Sequence, residues 1–178
     1  MSSPRAGAAS PAGALLRWQF KRAHELLDTA VERLTAETVY RQPPGTAALV
    51  GACYAQVVLC EDLSVNGLLA AGMPLALSTW VGRTGLSELP SLARLADWRA
   101  WARSVRLDLA ELRPYACAVY AATDTYLATL PDDALDPARA ELPACLLSAL
   151  LLTLAMRRGE IACLLSVERW SAADDMTG

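Results

Sequence analysis

Apolar residues return every three or four positions through most of this chain, and clusters of proline and glycine interrupt them. Leu16, Phe20, Ala23, Leu27, Val31 and Leu34 form one such stripe. It predicts an amphipathic helix from about Ala14 to Ala36, with Arg17, Lys21, Glu25 and Asp28 on its outer faces. Pro43-Pro44-Gly45 cannot continue it. Thr46 then offers a cap to a second helix, from Ala47 to Ala71, that ends at Gly72 and Pro74. A long connection, Met73 to Pro90, leads to a third helix from Ser91 to about Leu130, with a kink expected at Pro114. After Pro131-Asp132-Asp133 a last helix opens around Pro143 and runs to about Val167. No strand pattern intervenes, so the expected class is all-α, four long helices in a bundle. The ends read as a disordered tail at 1–13, rich in small residues, and a polar, flexible tail at 168–178. A single domain lies between them, at 14–167.

Composition narrows the function classes. At 178 residues the chain is long enough to bury a real core. Its net charge of −3 and scattered arginines give no electrostatic footprint for nucleic acid. Five cysteines, an odd number without CxxC or Cys/His zinc spacing, read as free thiols in a reducing cytoplasm. No secretory-type segment opens the chain. The longest apolar run, about Leu146 to Met156, is too short for a bilayer. A cytoplasmic protein that binds neither nucleic acid nor membrane is the expectation.

Several short segments, weak singly, gain specificity from their order. The first helix carries Arg17-Trp18-Gln19-Phe20 and closes on Leu34-Thr35-Ala36-Glu37. Pro43-Pro44-Gly45 follows, then Tyr54-Ala55-Gln56-Val57-Val58-Leu59-Cys60-Glu61-Asp62, Trp80-Val81-Gly82-Arg83-Thr84-Gly85, and finally Arg158-Gly159-Glu160-Ile161. In this the chain resembles the DinB-like superfamily. The resemblance implies an up-down-down-up four-helix bundle, often a homodimer. It also implies a site built from the second and last helices. Relatives include metal-dependent thiol transferases, a mycothiol-dependent isomerase and a cyclopropane hydrolase.

The family's metal-holding imidazoles fall, by that alignment, on Gln56, Thr153 and Arg157. An amide, a hydroxyl and a guanidinium that stays protonated are poor company for a divalent ion. The expectation is therefore no metal and no other cofactor. Asp62 and Glu160 as substitute carboxylate ligands rank last among the readings.

A guanidinium where a cation used to sit keeps the sign of the local field. Arg157 is thus a candidate to hold an organic anion or to stabilise charge in a transition state. Gln56 and Thr153 would orient the ligand, with Cys60, Glu160 and Trp80 around it. Glu61 or Asp62 would move a proton, although neighbours on a helix diverge and at most one can face a given pocket. The bland reading gives Arg157 an internal partner, Glu160 or Glu61, and gives the cysteines and tryptophans to packing. His24, the single histidine, reads as a surface or helix-boundary residue bonded to a neighbour, in preference to a catalytic base.

Two functions follow. One is a metal-independent small-molecule enzyme of isomerising, cyclising, tailoring or detoxifying type, in the manner of bacterial secondary metabolism. The other is a non-catalytic ligand-binding or dimeric interaction protein. The surroundings of Arg157 separate them, since an open polar cleft favours the first and a closed ion pair the second.

Overall fold

The computed structural model describes residues 11–42, 49–91, 97–135 and 141–174. The fold is all-α. Helices α1 (Pro11–Val31), α2 (Val50–Asp62), α3 (Asp97–Ser104), α4 (Leu109–Thr129) and α5 (Glu141–Asp174) carry it. Among the described residues the sole β feature is an isolated antiparallel bridge between Leu86 and Leu107. Helices α1 and α2 each pack against both α4 and α5. The core between them is aliphatic and aromatic, with Phe20, Leu27, Tyr54, Leu59, Leu112, Tyr115, Leu154 and Ile161 almost fully buried.

The helix bounds differ from the sequence reading in four places. Helix α1 begins at Pro11, inside the stretch expected to be a tail, and it ends at Val31. Helix α5 continues to Asp174, past the expected end near Val167. Residues 1–10, the Pro43-Pro44-Gly45 loop and the Thr46 cap lie outside the described residues. Helix α2 does not run evenly to Ala71. At Leu63 it widens into a π-helical segment, Leu63–Leu69.

The fourth difference is the expected third helix, which is two helices. The break falls at residues 105–108 and not at Pro114, which sits inside α4. Long-range hydrogen bonds account for it. The Tyr40 hydroxyl donates to the Leu107 carbonyl and accepts from the Leu107 amide, both at 2.9 Å. Ser87 N–H donates to the Arg106 carbonyl, and Asp108 N–H donates to the Gly85 carbonyl. With its backbone groups paired to another segment, this stretch has none to spare for a helix. Asp108 then restarts the chain as α4 by accepting the Ala110 amide at 2.9 Å. Gly85 is required here. Its φ is +73°, and a Cβ would strike Asp108 O and the Leu112 backbone. Trp98 and Trp101 are core residues whose indole N–H groups donate to the carbonyls of Ser91 and Glu88.

Asp62 fixes the turn that follows α2. Fully buried, its carboxylate accepts four hydrogen bonds, from Asn66 Nδ2 and the amides of Leu75 and Ala76, and from the Tyr115 hydroxyl, at 2.8–2.9 Å. Burial, followed by the charge of Asp62 beside it, pushes the Tyr115 phenol up, so it stays a donor. This carboxylate ties α2, the 75–77 turn and α4 together. Asp62→Ala leaves four donors without an acceptor, two of them, the Ala76 amide and the Tyr115 hydroxyl, buried. It is expected to lower unfolding free energy by about 3 kcal/mol or more. Urea denaturation measures this, and a loss smaller than that of an ordinary surface substitution would contradict the assignment.

Candidate functional site

Gln56 on α2 and Arg157 on α5 face one another. Arg157 Nη1 donates to Glu160 Oε2 at 2.6 Å, and Nη2 donates to Gln56 Oε1 at 3.1 Å. Cys53 Sγ lies 4.0 Å from Glu160 Oε1. Thr153 turns back on its own helix and donates to the Ala149 carbonyl. The ion pair is about one-third exposed, with side-chain exposures of 31% and 35%, so the guanidinium is committed to protein partners at the mouth of the gap. Burial, and then the charge of Glu160, pushes the Cys53 thiol up to about 11 against the opposing pull of Arg157. Cys60 is pushed up by burial as well. Neither is a thiolate at neutral pH.

These residues do not suit a divalent metal. The Thr153 hydroxyl proton is engaged on its own helix, and the Gln56 oxygen already accepts from the fixed cation of Arg157. Among the described residues no group of three or more His, Cys, Asp or Glu is placed to hold a metal ion.

Glu61, Asp62 and Trp80 do not join Arg157. Asp62 anchors the turn after α2. Trp80 packs on Tyr115 at 5.9 Å between ring centroids, with the Arg83 guanidinium 5.3 Å above its ring. Glu61 points the other way across the core. Its Oε2 is 2.9 Å from His24 Nε2 on α1, and its Oε1 accepts from Thr123 Oγ1 on α4 at 2.6 Å. All three groups are buried, Glu61 and Thr123 completely.

His24 is therefore an interior residue, not the surface or boundary residue expected. Its ring lies on Tyr120, with centroids 3.8 Å apart and planes 11° from parallel. A carboxylate only accepts, so ionised Glu61 makes Nε2 the protonated nitrogen. Nδ1 has no hydrogen-bond partner among the described residues. The sequence signal was present. His24 falls four residues after Phe20 and three before Leu27, on the buried stripe of α1, and Thr123 sits likewise between Val119 and Leu127 on α4.

His24 lines the floor of an open groove of about 410 Å³ between α1 and α4. Lys21, Asp28 and Tyr120 border it, and the bidentate Arg17–Asp124 pair, 2.7 and 2.9 Å, stands at its rim. That pairing holds Asp124 below the usual carboxylate range. Burial raises Asp28, which lies one helical turn beyond His24. Lys21 has no ion-pair partner among the described residues, and it lies one turn before His24 on the same face. The groove thus offers an oriented imidazole between the Lys21 ammonium, whose charge also acts on Asp124, and the half-buried carboxyl of Asp28.

No protein-family model matches the chain, and no characterised protein is found similar to it. A solved structure, the conserved protein of a locus from Enterococcus faecalis, superposes with a TM-score of 0.71 at 20% identity, over 87% of this chain and 95% of that one. At that identity the likeness is one of fold.

The two sites differ in what they contribute to stability. Thr123→Val keeps the shape but leaves a buried carboxylate short of a donor, with an expected loss of about 1–3 kcal/mol. Arg157→Ala opens a partly exposed pair and should lose about 1 kcal/mol or less. Chemical denaturation of both variants decides, and the reverse order would contradict this description.

Proposed function

We propose that the chain is a DinB-like, up-down-down-up four-helix bundle acting as a metal-independent, cytoplasmic small-molecule enzyme. In this reading its working site is the α1–α4 groove. The observation that carries it is the His24–Glu61–Thr123 relay at the groove floor. A buried carboxylate, itself held by a hydroxyl, orients a single imidazole so that its second nitrogen remains available for proton transfer. Lys21 supplies the positive charge for an organic anion. His24 removes or returns a proton on that ligand, and Glu61 stabilises the imidazolium formed meanwhile. Proton relocation within a small organic acid, as in an isomerisation or cyclisation, is the chemistry this arrangement serves. Such steps are common in bacterial secondary metabolism. The five free cysteines are in keeping with a reducing compartment.

Arg157 takes a structural part in this reading. Its pairing with Glu160 and Gln56 favours the non-catalytic alternative for that face of the protein, a family site closed by an ion pair.

The test is a panel of small carboxylates and phenolates screened by thermal shift, followed by ligand C–H exchange in D2O observed by NMR. Wild-type protein should stabilise on binding and accelerate exchange. His24→Gln keeps a donor near Glu61 but has no base, and should lose exchange by about a hundredfold or more. Lys21→Ala should weaken binding by about tenfold, and Arg157→Ala should leave both within about twofold. Unchanged exchange in His24→Gln, or binding abolished only by Arg157→Ala, would move the site back to α2 and α5.

A further inference from the structure

Three carboxylates line the groove between α1 and α4, and they are not alike. Glu25 is held by Arg22 at 3.1 Å, and Asp124 by Arg17 at 2.7 Å. Both of these acids are exposed. Asp28 is the most enclosed of the three, and it is the one left unpaired. Among the described residues its carboxyl accepts no hydrogen bond and forms no ion pair. Burial, and with it the like charge of Glu32 one turn along α1, pushes the Asp28 carboxyl up against the pull of His24 and Arg113. Neither cation closes on it. His24 is bonded to Glu61, and Arg113 donates to the carbonyls of Val31 and Leu34 at 3.0 and 3.4 Å.

A half-buried carboxylate that has lost part of its water and has no donor in the fold gains most from a ligand cation that brings N–H groups. A metal ion is the poorer candidate. Divalent ions collect several ligands, and the described residues place no group of three or more His, Cys, Asp or Glu to supply them. An ammonium needs only one well-placed carboxylate.

The other end of the ligand is fixed by the register of α1. Lys21, His24 and Asp28 follow at steps of three and four residues and share one face of the helix. Lys21 and Asp28 are about 10 Å apart along its axis, with the imidazole between them. Phe20, Tyr120 and Ala121 line the same groove and give it apolar surface. The order along the groove is therefore cation, base, anion. A molecule that meets all three carries an anionic group at one end, an amine at the other and an apolar chain between. An α-amino acid does not fit this order, because its two charges sit on one carbon, too close together to engage both side chains.

We propose that the groove takes a zwitterion whose carboxylate and amine stand at opposite ends of an apolar chain, with Lys21 holding the carboxylate and Asp28 the amine. This rests on the reading of the groove as an anion site worked by His24, and it adds Asp28 as the residue that sets specificity.

Isothermal titration of the full chain at neutral pH tests it with four probes: 6-aminohexanoate, its isomer 2-aminohexanoate, hexanoate and hexylamine. Wild type should bind 6-aminohexanoate about tenfold or more tighter than any of the other three. Asp28→Asn should weaken 6-aminohexanoate by about tenfold and tighten hexanoate by about twofold, since a repelling charge has gone. The substitution is isosteric and removes no hydrogen bond from the fold, so the melting temperature should not fall. Lys21→Ala should weaken both carboxylates by about tenfold. Hexanoate bound through Lys21 with no gain for 6-aminohexanoate would overturn the role of Asp28 and leave the anion site standing. Equal binding of the two isomers would overturn the separation of charges along the groove. A lower melting temperature in Asp28→Asn would make its carboxylate a structural group and overturn its part in binding. No binding by any of the probes would remove the anion site and this inference with it.

Discussion

Two adjacent carboxylates enter the interior of this protein where α2 ends, and the arrangement of the other helices answers to them. Burying an ionised carboxylate without donors costs several kcal/mol, so each must be met from outside its own helix. Glu61 is met by His24 from α1 and Thr123 from α4. Asp62 is met by Tyr115 from α4, by Asn66, and by two amides of the turn at 75–76. Consecutive helical residues point about a hundred degrees apart, which sends one carboxylate towards the α1 side of the core and the other into the loop after α2. The first creates a polar centre that a groove reaches. The second holds the loop in place.

This division explains why the neighbouring acids have different work. Asp62 has four donors, among them the Tyr115 hydroxyl, and is completely buried. Such a group is a structural fixture. Glu61 has a titratable partner, and that partner reaches the floor of an open groove. Removing a proton from a ligand at His24 would place positive charge beside Glu61, where it is already compensated. At Arg157 the compensation is internal, since Glu160 and Gln56 occupy the guanidinium.

Much of the fold was legible in the sequence because it rests on local pattern. The buried faces of α1 and α5 follow the apolar spacing, and Arg157 and Glu160 meet one turn apart on α5 as helical register implies. Thr153, expected to converge with Gln56 and Arg157, bonds its own helix instead. What was not legible depends on partners distant in the chain. The break before α4 comes from Tyr40 bonding Leu107 and from the 85–87 segment pairing with 106–108. Nothing within residues 97–129 announces those bonds, whereas Pro114, the visible breaker, is carried inside α4. His24 was assigned to the surface on residue type, although its place in the stripe of Phe20 and Leu27 is that of a core residue. The Glu61–Asp62 pair was drawn towards Arg157 by nearness in the alignment, and only the packing of α1 and α4 turns Glu61 the other way.

The central claim is that one imidazole, clamped through Nε2 by a buried carboxylate, is held in a single tautomer at the groove floor. The chain contains one histidine, so its ring nitrogens give one uncrowded pair of signals in a long-range proton–nitrogen NMR spectrum. The account predicts a proton on Nε2, slow to exchange with water and shifted downfield by Glu61, beside an Nδ1 with the shift of a free lone pair. Two averaged nitrogens with a fast-exchanging proton, as in a solvent-exposed histidine, would contradict it.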